Sequence, residues 1–377
     1  MAGDLITAER HIRSLARACA EPSSGHELLE TATRRLRRMV GFDGSAWFAT
    51  DPATLLATSP ALIENIEAGH CESYWQREYL VEDVLLYRDL ARAPRPAATL
   101  YSVTDDRPAR SARYREFLAP QGYGDELRAA LRVRGSTWGV IDLFRERGRP
   151  PFSPRDVEVT LAAGPAIATA LRALALPTAS PAGPSGSLDG PGTALFDSAG
   201  AVCSLDEQAR RWFTELAGPH WNATNAPFVM TTVVAALARA QAVAEGKHRG
   251  PASTRLRTST GRWLAVHASC LRDPDGKPGL TAVVIEPARS AQIAPIIVEA
   301  YRLTPREQQI TQAVARGLST PEIATQMYLS TYTVRDHLKA IFAKVDVSSR
   351  GELVAKLFAE HYGPALHEPG AAVHIER

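Results

Sequence analysis

The stretch Leu303–Phe358, LTPREQQITQAVARGLSTPEIATQMYLSTYTVRDHLKAIFAKVDVSSRGELVAKLF, contains start signals for four short helices. Thr304 and Glu307 form a capping box, with Pro305 at the first helical position, where its missing N–H costs nothing. Gly317 stands where a left-handed residue ends a helix. The later helices begin at hydroxyl residues suited to cap them: Ser319 or Thr320, Ser330, and Ser349. The sequence therefore predicts a small all-α domain.

The third of these helices has two different faces. One is apolar, because four residues recur at i, i+4, i+7 and i+11 and form one stripe: Val334, Leu338, Ile341 and Val345. The other face carries polar or charged residues near the N-terminal end: Tyr332, Arg335, Asp336 and Lys339. A helix fits the major groove of DNA, and the side chains of its N-terminal half reach base edges there. The pattern predicts a helix that reads DNA.

The whole stretch resembles the LuxR/FixJ-type helix-turn-helix over about 60 residues. The residues that carry the resemblance are Thr304, Glu307, Gly317, Glu322-Ile323-Ala324, Ser330, Thr333-Val334, His337, Ile341, Lys344, Val347 and Arg350. Met327 and Val345 stand where the family usually has Leu, and Asp346 where it usually has Gly. The apolar replacements roughly conserve volume, and Asp is among the few residues that also adopt a left-handed conformation. We therefore expect the fold to be kept.

The resemblance implies that this domain binds double-stranded DNA. We expect Arg335 and Lys339 to contact bases or adjacent phosphates, and Asp336 and Tyr332 to tune selectivity. Ser330, Thr333 and Lys344 are suited to hold phosphates. The complete predicted DNA-binding set is Ser330, Thr331, Tyr332, Thr333, Arg335, Asp336, Lys339 and Lys344.

The fourth predicted helix has more apolar surface than a domain of this size can readily hide, so we expect a second copy of the chain to cover it. The candidate residues for this homodimer face are Leu353, Leu357 and Phe358. Residues 301–362 contain eight Lys and Arg and six Asp and Glu, which is a modest excess of positive charge. Specific binding should therefore depend on dimerisation and a few placed contacts. The alternative is a protein-interaction module without specific DNA binding.

The composition of the 377 residues, with 45% hydrophobic residues, is that of a globular chain of two or three domains. No stretch approaches the roughly 20 apolar residues that span a bilayer, and the N-terminus has no secretory pattern. We therefore expect a cytoplasmic protein without membrane contact. The four cysteines are far apart and lack C-x-x-C spacing, so neither a zinc site nor a disulfide framework is predicted, and no cofactor is expected.

The first 174 residues resemble a GAF domain. Helices are predicted at Leu5–Ala20 and Glu27–Val40, a helical region at Leu62–Tyr79, and a β-hairpin around the turn Arg134–Thr137. A closing helix follows Phe152-Ser153-Pro154 and should kink or break at Gly164-Pro165. The resemblance is carried by Gly122, Glu126, Leu127, Arg128, Trp138-Gly139, Leu143, Arg145, Phe152 and Ser153.

GAF domains usually hold a small molecule between the sheet and the loops on its open face, so the resemblance implies a possible small-molecule effector. Four aromatic residues are candidates to line that space: Trp47, Trp75, Tyr79 and Tyr87. Aromatic residues at such spacings are more often part of a core, and that alternative stays open. Neither a chromophore cysteine nor a metal cluster can be assigned.

A Pro/Gly/Ser-rich segment, residues 175–192, reads as a flexible linker. Beyond it, two short strands, helices and three more strands are predicted, an order similar to a PAS fold. The Asn-x-Ala that many PAS domains carry is replaced by Asp206-Glu207-Gln208-Ala209, so the resemblance does not extend to a ligand site there. We expect a spacer and dimerisation module first, with a sensor role second.

Enzymatic signatures are missing from the sequence: it has no G-x-S-x-G, no Walker-type Gly-Lys-Ser/Thr, no H-E-x-x-H and no Rossmann glycine pattern. We therefore expect no catalytic activity. Control by a phosphoacceptor is not expected either, because Asp105-Asp106 lies in a Pro-containing loop. An acyl-homoserine-lactone sensor of the LuxR branch is a second alternative, since Trp75, Tyr79 and Asp83 resemble its pocket, although Val84 replaces the expected Pro.

The predicted fold is a multidomain α+β chain with a GAF-like α/β domain, a PAS-like α+β domain and a C-terminal all-α helix-turn-helix domain. Its expected function is a ligand-responsive, dimeric transcriptional regulator. The predicted boundaries are 1–174 for the GAF-like domain, 175–192 for the linker, 193–288 for the PAS-like domain, 289–299 for a coupling segment, 300–364 for the DNA-binding domain and 365–377 for a flexible tail.

Overall fold

The structure is a computed structural model. It describes residues 2–356 except 22–23, 68–69, 177–189, 220, 222–230, 259–260, 290–291, 294–295, 297–298, 302 and 355. The predicted tail and most of the predicted linker lie outside the described residues. Residues 1–174 and 190–287 form one compact unit, and the chain from residue 288 belongs to a second. None of the described helices has the length and apolar character that crossing a bilayer requires.

The first unit begins with a five-stranded antiparallel sheet of order β2-β1-β5-β4-β3. Its strands are β1 (Gly44–Thr50), β2 (Ala57–Glu64), β3 (Ala97–Thr99), β4 (Tyr123–Val133) and β5 (Ser136–Glu146). The predicted hairpin is confirmed: Val133 pairs with Ser136, and the two residues between them, Arg134 and Gly135, both have positive φ, as a tight two-residue turn requires.

Helices cover both faces of this sheet. They are α1 (Ala2–Ala18), α2 (Gly25–Val40), α3 (Cys71–Tyr79), the short α4 (Tyr87–Leu90) and α5 (Leu100–Val103), and α6 (Pro154–Ala173). The prediction of a helix from Leu62 was partly wrong, because residues 57–64 form the edge strand β2, where Pro60 is tolerated. Of the predicted kink or break in α6, the break was wrong, because the helix continues from Pro154 to Ala173. Pro165 lies on its exposed side, where solvent can replace the missing hydrogen bond.

The middle region forms a second five-stranded antiparallel sheet of order β7-β6-β10-β9-β8. Its elements are β6 (Gly192–Phe196), β7 (Val202–Leu205), α7 (Glu207–Ala217), α8 (Thr231–Ala244), β8 (Ser253–Arg257), β9 (Trp263–Arg272) and β10 (Pro278–Pro287). The predicted order of strands and helices is confirmed. Counted within each region, the strand order is the same in both sheets, so the unit repeats one topology.

Helix α8 joins the two sheets. Ala235, Ala238 and Ala242 pack into the core beneath the first sheet, whereas Ala236 and Leu237 pack into the core of the second. Alanine suits a helix buried on both sides, because its small side chain lets neighbouring backbones approach. The two regions therefore share a packed helix rather than meeting only through a linker.

A buried ion pair also ties the two sheets together. The guanidinium of Arg255 in β8 donates two hydrogen bonds to Asp51 after β1, at 2.7 Å from Nε and 2.6 Å from Nη2. Asp51 is 1% exposed, so this bidentate contact is shielded from water. It joins β8 of the second sheet to the residue that follows β1 of the first.

The second unit contains the predicted short helices. They are α9 (Pro305–Ala315), α10 (Thr320–Met327) and α11 (Thr331–Val345), and residues 350–354 form the start of a fourth. The capping box at Thr304 and the caps at Ser319 and Ser330 are confirmed, and Ser319 forms a capping box with Glu322. Gly317 and Asp346 both adopt positive φ, so Asp replaces the family's glycine at a left-handed position. The N–H of Glu352 donates to Ser349, as the fourth start signal predicts.

Candidate functional sites

The turn between α10 and α11 places the first residues of α11 at the surface. Ser330 Oγ accepts a hydrogen bond from the backbone N–H of Thr333 at 3.0 Å, and the two hydroxyls lie 2.8 Å apart. This cap fixes the direction in which α11 leaves the turn. Ser330 and Thr333 are thus already joined to each other through their side chains.

Helix α11 divides into the two predicted faces. The apolar stripe is buried against the rest of the domain: Val334, Leu338, Ile341 and Val345. Thr331, Tyr332, Arg335, Asp336 and Lys339 are exposed on the other face. Packing of the stripe therefore orients the polar face outwards.

The charged residues of this outward face are weakly engaged. Lys339 Nζ lies 3.9 Å from Asp336, and both side chains are largely exposed, so water screens their attraction. Arg335 has no ion pair among the residues that the structure describes. Its guanidinium therefore keeps its donors available for a bidentate contact with a base or a phosphate.

Lys344 lies apart from this face and has an internal partner. Its ammonium donates to both carboxylate oxygens of Glu307, at 2.8 and 2.6 Å, and Glu307 is 5% exposed. Burial by itself raises the pKa of Glu307, but hydrogen bonds from Lys344 and Thr304 outweigh it and hold the pKa below its ordinary value. The sequence analysis assigned Lys344 to a phosphate contact. In the structure, its ammonium group joins α11 to the start of α9.

The predicted dimer face is only partly described. Leu353 is 0% exposed, so its side chain belongs to the interior of its own domain and offers no surface to a partner. Leu357 and Phe358 lie outside the described residues. A dimer role for these two residues stays a prediction.

Tyr328, a residue that the sequence reasoning missed, is the most exposed large apolar side chain in the described chain, at 96%. It ends α10 in a left-handed conformation, with φ 54° and ψ 43°, which costs a side chain roughly 1–2 kcal/mol relative to glycine. Tyr332, which lies four residues further along the chain in α11, is 71% exposed. The signal in the sequence was an aromatic residue at the position that ends a helix.

The predicted ligand residues of the first sheet do not share one space. Trp75 and Tyr79 stack with ring centroids 6.0 Å apart, and both lie with Tyr87 in the core under α3. Trp47 lies on the opposite face of the sheet. It pairs with Ile141, which is two residues from Gly139 and therefore on the same face. Gly139 faces Leu171 of α6. The inclusion of Trp47 was therefore wrong, because side chains alternate along a strand.

Polar side chains fill the space beside these rings. The guanidinium of Arg128 lies 3.6 Å from the centre of the Tyr87 ring, 3.0 Å from Glu78 and 3.3 Å from Asp142. A second buried pair, Arg113 with Glu126 at 2.6 Å, adjoins it. The chain's own aromatic and charged groups thus pack where the resemblance implied a cavity.

The carboxyl groups of this cluster differ in charge. Burial raises the pKa of Glu126, but Arg113 and Arg128 outweigh it and lower the pKa below its ordinary value. Burial and the charge of Glu126 together raise the pKa of Asp142 well above its ordinary value. Asp142 therefore favours its neutral form, which reduces the negative charge that the two guanidinium groups must balance.

Two family models match the chain. The model described as "Bacterial regulatory proteins, luxR family" matches residues 301–357, which include α9 to α11. The model described as "GAF domain" matches residues 24–171, which include the first sheet. The middle sheet has no part in either match.

The curated relatives that match parts of the chain are named as transcriptional regulators. The "Probable HTH-type transcriptional regulator GfsR" of Streptomyces halstedii is 32% identical over 111 residues, which are 28% of this chain and 44% of the relative. The "Monoamine regulon transcriptional regulator" of Klebsiella aerogenes is 40% identical over 65 residues, 17% of this chain and 29% of the relative. The chain thus spans less than half the length of these relatives.

Solved structures superpose poorly on the whole chain. The "Vibrio cholera VqmA-Ligand-DNA complex" shares 18% sequence identity and covers 47% of this chain and 85% of that chain, with a TM-score of 0.24.

Proposed function

We propose that this chain, which carries a C-terminal luxR-family domain behind an N-terminal GAF domain, is a transcriptional regulator and not an enzyme. Two copies bind double-stranded DNA through their α11 helices, which read half-sites about 10 base pairs apart. The sensor unit receives a signal and changes the spacing or exposure of the two DNA-binding domains. The proposed location is the cytoplasm.

The observation that carries this proposal is the outward face of α11. A cap at Ser330 and a buried apolar stripe fix the helix, so its exposed polar residues are presented on a rigid element. Arg335 supplies a planar donor suited to guanine or phosphate, and Lys339 a positive charge one turn further on. Asp336 can accept from cytosine and repel phosphates, which makes it a residue for selectivity.

The middle sheet is proposed to be PAS-like. Two strands, then α7 and α8, then three further strands make up the region, as the resemblance requires. Because α8 packs into both cores, the middle region would transmit a signal by moving with the GAF domain. This favours a coupling role over that of a separate spacer.

The acyl-homoserine-lactone alternative receives no support from the positions of its candidate residues. Asp83 accepts hydrogen bonds from Ser111 Oγ at 2.9 Å and from the Arg113 N–H at 2.7 Å. Trp75 and Tyr79 are buried in the core, at 1% and 6% exposure. A lactone would have to displace contacts that already stabilise the domain.

The first test is fluorescence anisotropy of the full-length protein on fragments of DNA upstream of its own gene. We expect binding that prefers some fragments and weakens as salt is raised, because Lys and Arg contacts release counterions from DNA. Equal, weak binding to all fragments would contradict a specific regulator. Absence of salt-dependent binding would favour the protein-interaction module.

Tyr328 supplies a second prediction. In Tyr328→Asn the left-handed position is filled by a residue that adopts it at lower cost, so thermal unfolding by calorimetry should show no loss of stability. We expect DNA affinity to fall about 3- to 10-fold, because an exposed aromatic ring contributes roughly 1 kcal/mol or so when it is buried against a partner. Unchanged affinity in this variant would show that Tyr328 lies outside the DNA interface.

A further inference from the structure

A cavity of about 180 Å³ opens between α3 and α8, within the first compact unit. Its apolar wall consists of Val234, Leu237 and Ala238 from α8, together with Cys71 from α3. Burial raises the pKa of the Cys71 thiol to about 12, so the sulfur is a neutral part of the wall and not a reactive thiolate. The volume is below the roughly 300–1,000 Å³ of drug-sized sites, which limits any ligand to a small molecule.

Among the described residues, the lining also includes the polar Gln76 and Gln241 and one charged side chain, Glu72 of α3. Glu72 Oε1 accepts a hydrogen bond from Gln76 at 2.6 Å, and no Lys or Arg pairs with Glu72 among the described residues. Burial and the nearby carboxylate of Asp197 both raise the pKa of Glu72. The carboxylate therefore borders an apolar space without a cation to balance it.

The turn after β6 contributes Gly200 to the lining of the cavity and brings the carboxylate of Asp197 near Glu72. The carbonyl of Ser198 accepts from Gln241 Nε2 at 3.4 Å, and Asp197 uses Oδ1 for two backbone N–H groups of its own turn. Gly200 closes the turn: a Cβ there would lie 3.1 Å from the carboxyl carbon of Glu72. The missing side chain leaves room next to the carboxylate.

We propose that this cavity binds a small primary amine. Its ammonium group lies at Glu72, where the nearby carboxylate of Asp197 adds negative charge. Its short apolar body packs against Val234, Leu237 and Ala238. A carboxylate ligand is excluded by like charge. A metal ion lacks ligands, because the described residues contain no group of three His, Cys, Asp or Glu that could hold one.

The position of the cavity gives the ligand a regulatory consequence, which rests on the proposed function. Its lining comes from α3 beneath the first sheet and from α8 and the β6–β7 turn of the second region. An amine that contacts both sides favours the conformation in which α3 and α8 are packed together. The size of this effect equals the difference in the amine's binding free energy between that conformation and the others. The proposed effector is thus a short amine that binds in contact with both regions.

The test uses the full chain and three probes of matched length: n-pentylamine, 1-pentanol and sodium pentanoate. Binding is measured by calorimetric titration and by the shift in melting temperature, which rises when a ligand binds the native state. We expect binding of pentylamine, weaker binding of pentanol and none of pentanoate. In Glu72→Gln, which keeps the shape and the contact with Gln76, pentylamine should bind about 10-fold more weakly.

The matched control is Glu207→Gln, which removes an exposed carboxylate from α7 in the same unit and should leave pentylamine affinity unchanged. Equal binding of pentylamine and pentanol, or wild-type affinity in Glu72→Gln, would overturn the proposal. Absence of any pentylamine binding would overturn it as well. Because none of these measurements involves DNA, amine binding without DNA binding would overturn only the proposed function, and the reverse result only the cavity proposal.

Discussion

Arg335→Ala combined with Lys339→Ala is expected to weaken specific DNA binding by the full-length protein about 100-fold or more. A bidentate base contact contributes about 1–3 kcal/mol, and loss of a phosphate contact lowers the salt slope by about one. Both side chains lie on the exposed face of α11, away from the buried stripe. The domain should therefore remain folded. The measurement is anisotropy on the preferred fragment and on unrelated DNA, at several salt concentrations.

Arg316→Ala is the matched control for this prediction. Arg316 is exposed at the end of α9, so the variant removes the same charge outside the predicted interface. We expect its affinity to change less than that of Arg335→Ala. If the double variant keeps wild-type affinity, α11 is not part of the DNA interface. If Arg335→Ala alone weakens binding equally on specific and unrelated DNA, Arg335 is a phosphate anchor and not a base-reading residue.

The largest expected effect on stability is that of Arg128→Met, at about 3–5 kcal/mol. Arg128 is 1% exposed, and its guanidinium is the partner of Glu78 and Asp142 and stacks on Tyr87. Methionine restores apolar volume but leaves Glu78 buried without its ion-pair partner. Denaturant unfolding of the full chain, followed by tryptophan fluorescence because Trp75 is in the same core, measures the loss.

Arg132→Met on the same strand is the control, because the side chain of Arg132 is partly exposed and donates to the backbone carbonyls of Ala91 and Pro94. Its cost should be about 1 kcal/mol. The deficit of Arg128→Met should also depend on pH. Burial already raises the pKa of Glu78, and loss of Arg128 raises it further, so protonation relieves the buried charge as the pH falls. A deficit equal to that of Arg132→Met, or independent of pH between about 5 and 8, would show that the cluster does not stabilise the fold.

Several elements of the DNA-binding domain were predictable because their signals are local. A capping box joins residues three apart in the chain, and the apolar stripe of α11 repeats within a few turns, so both can be read without knowledge of the fold. The hairpin between β4 and β5 is local in the same sense, since Arg134-Gly135 needs only its two flanking strands. Neither the luxR-type domain nor the hairpin depends on distant contacts for its recognition.

Other elements were missed where the local pattern was ambiguous. The segment of β2 contains Pro60, which weakens a strand signal, although an edge strand tolerates it. Strand β3 has only three residues, Ala97–Thr99, too few to show alternation. The exposed position of Tyr328 depended on the conformation that ends α10, and an aromatic residue is an uncommon choice there.

The sequence alone thus determined the helix starts of the DNA-binding domain, the hairpin, the succession of strands and helices in the middle region and the face of α11 that is exposed, because each follows from residues close together in the chain. Only the tertiary structure decided that Lys344 pairs with Glu307, that Trp47 faces α6, and that α8 enters two cores. It also decided which carboxyl groups are buried beside Arg128 and that a cavity adjoins Glu72. These features join segments tens to hundreds of residues apart, and their energies come from burial and charge pairing, which no local spacing records.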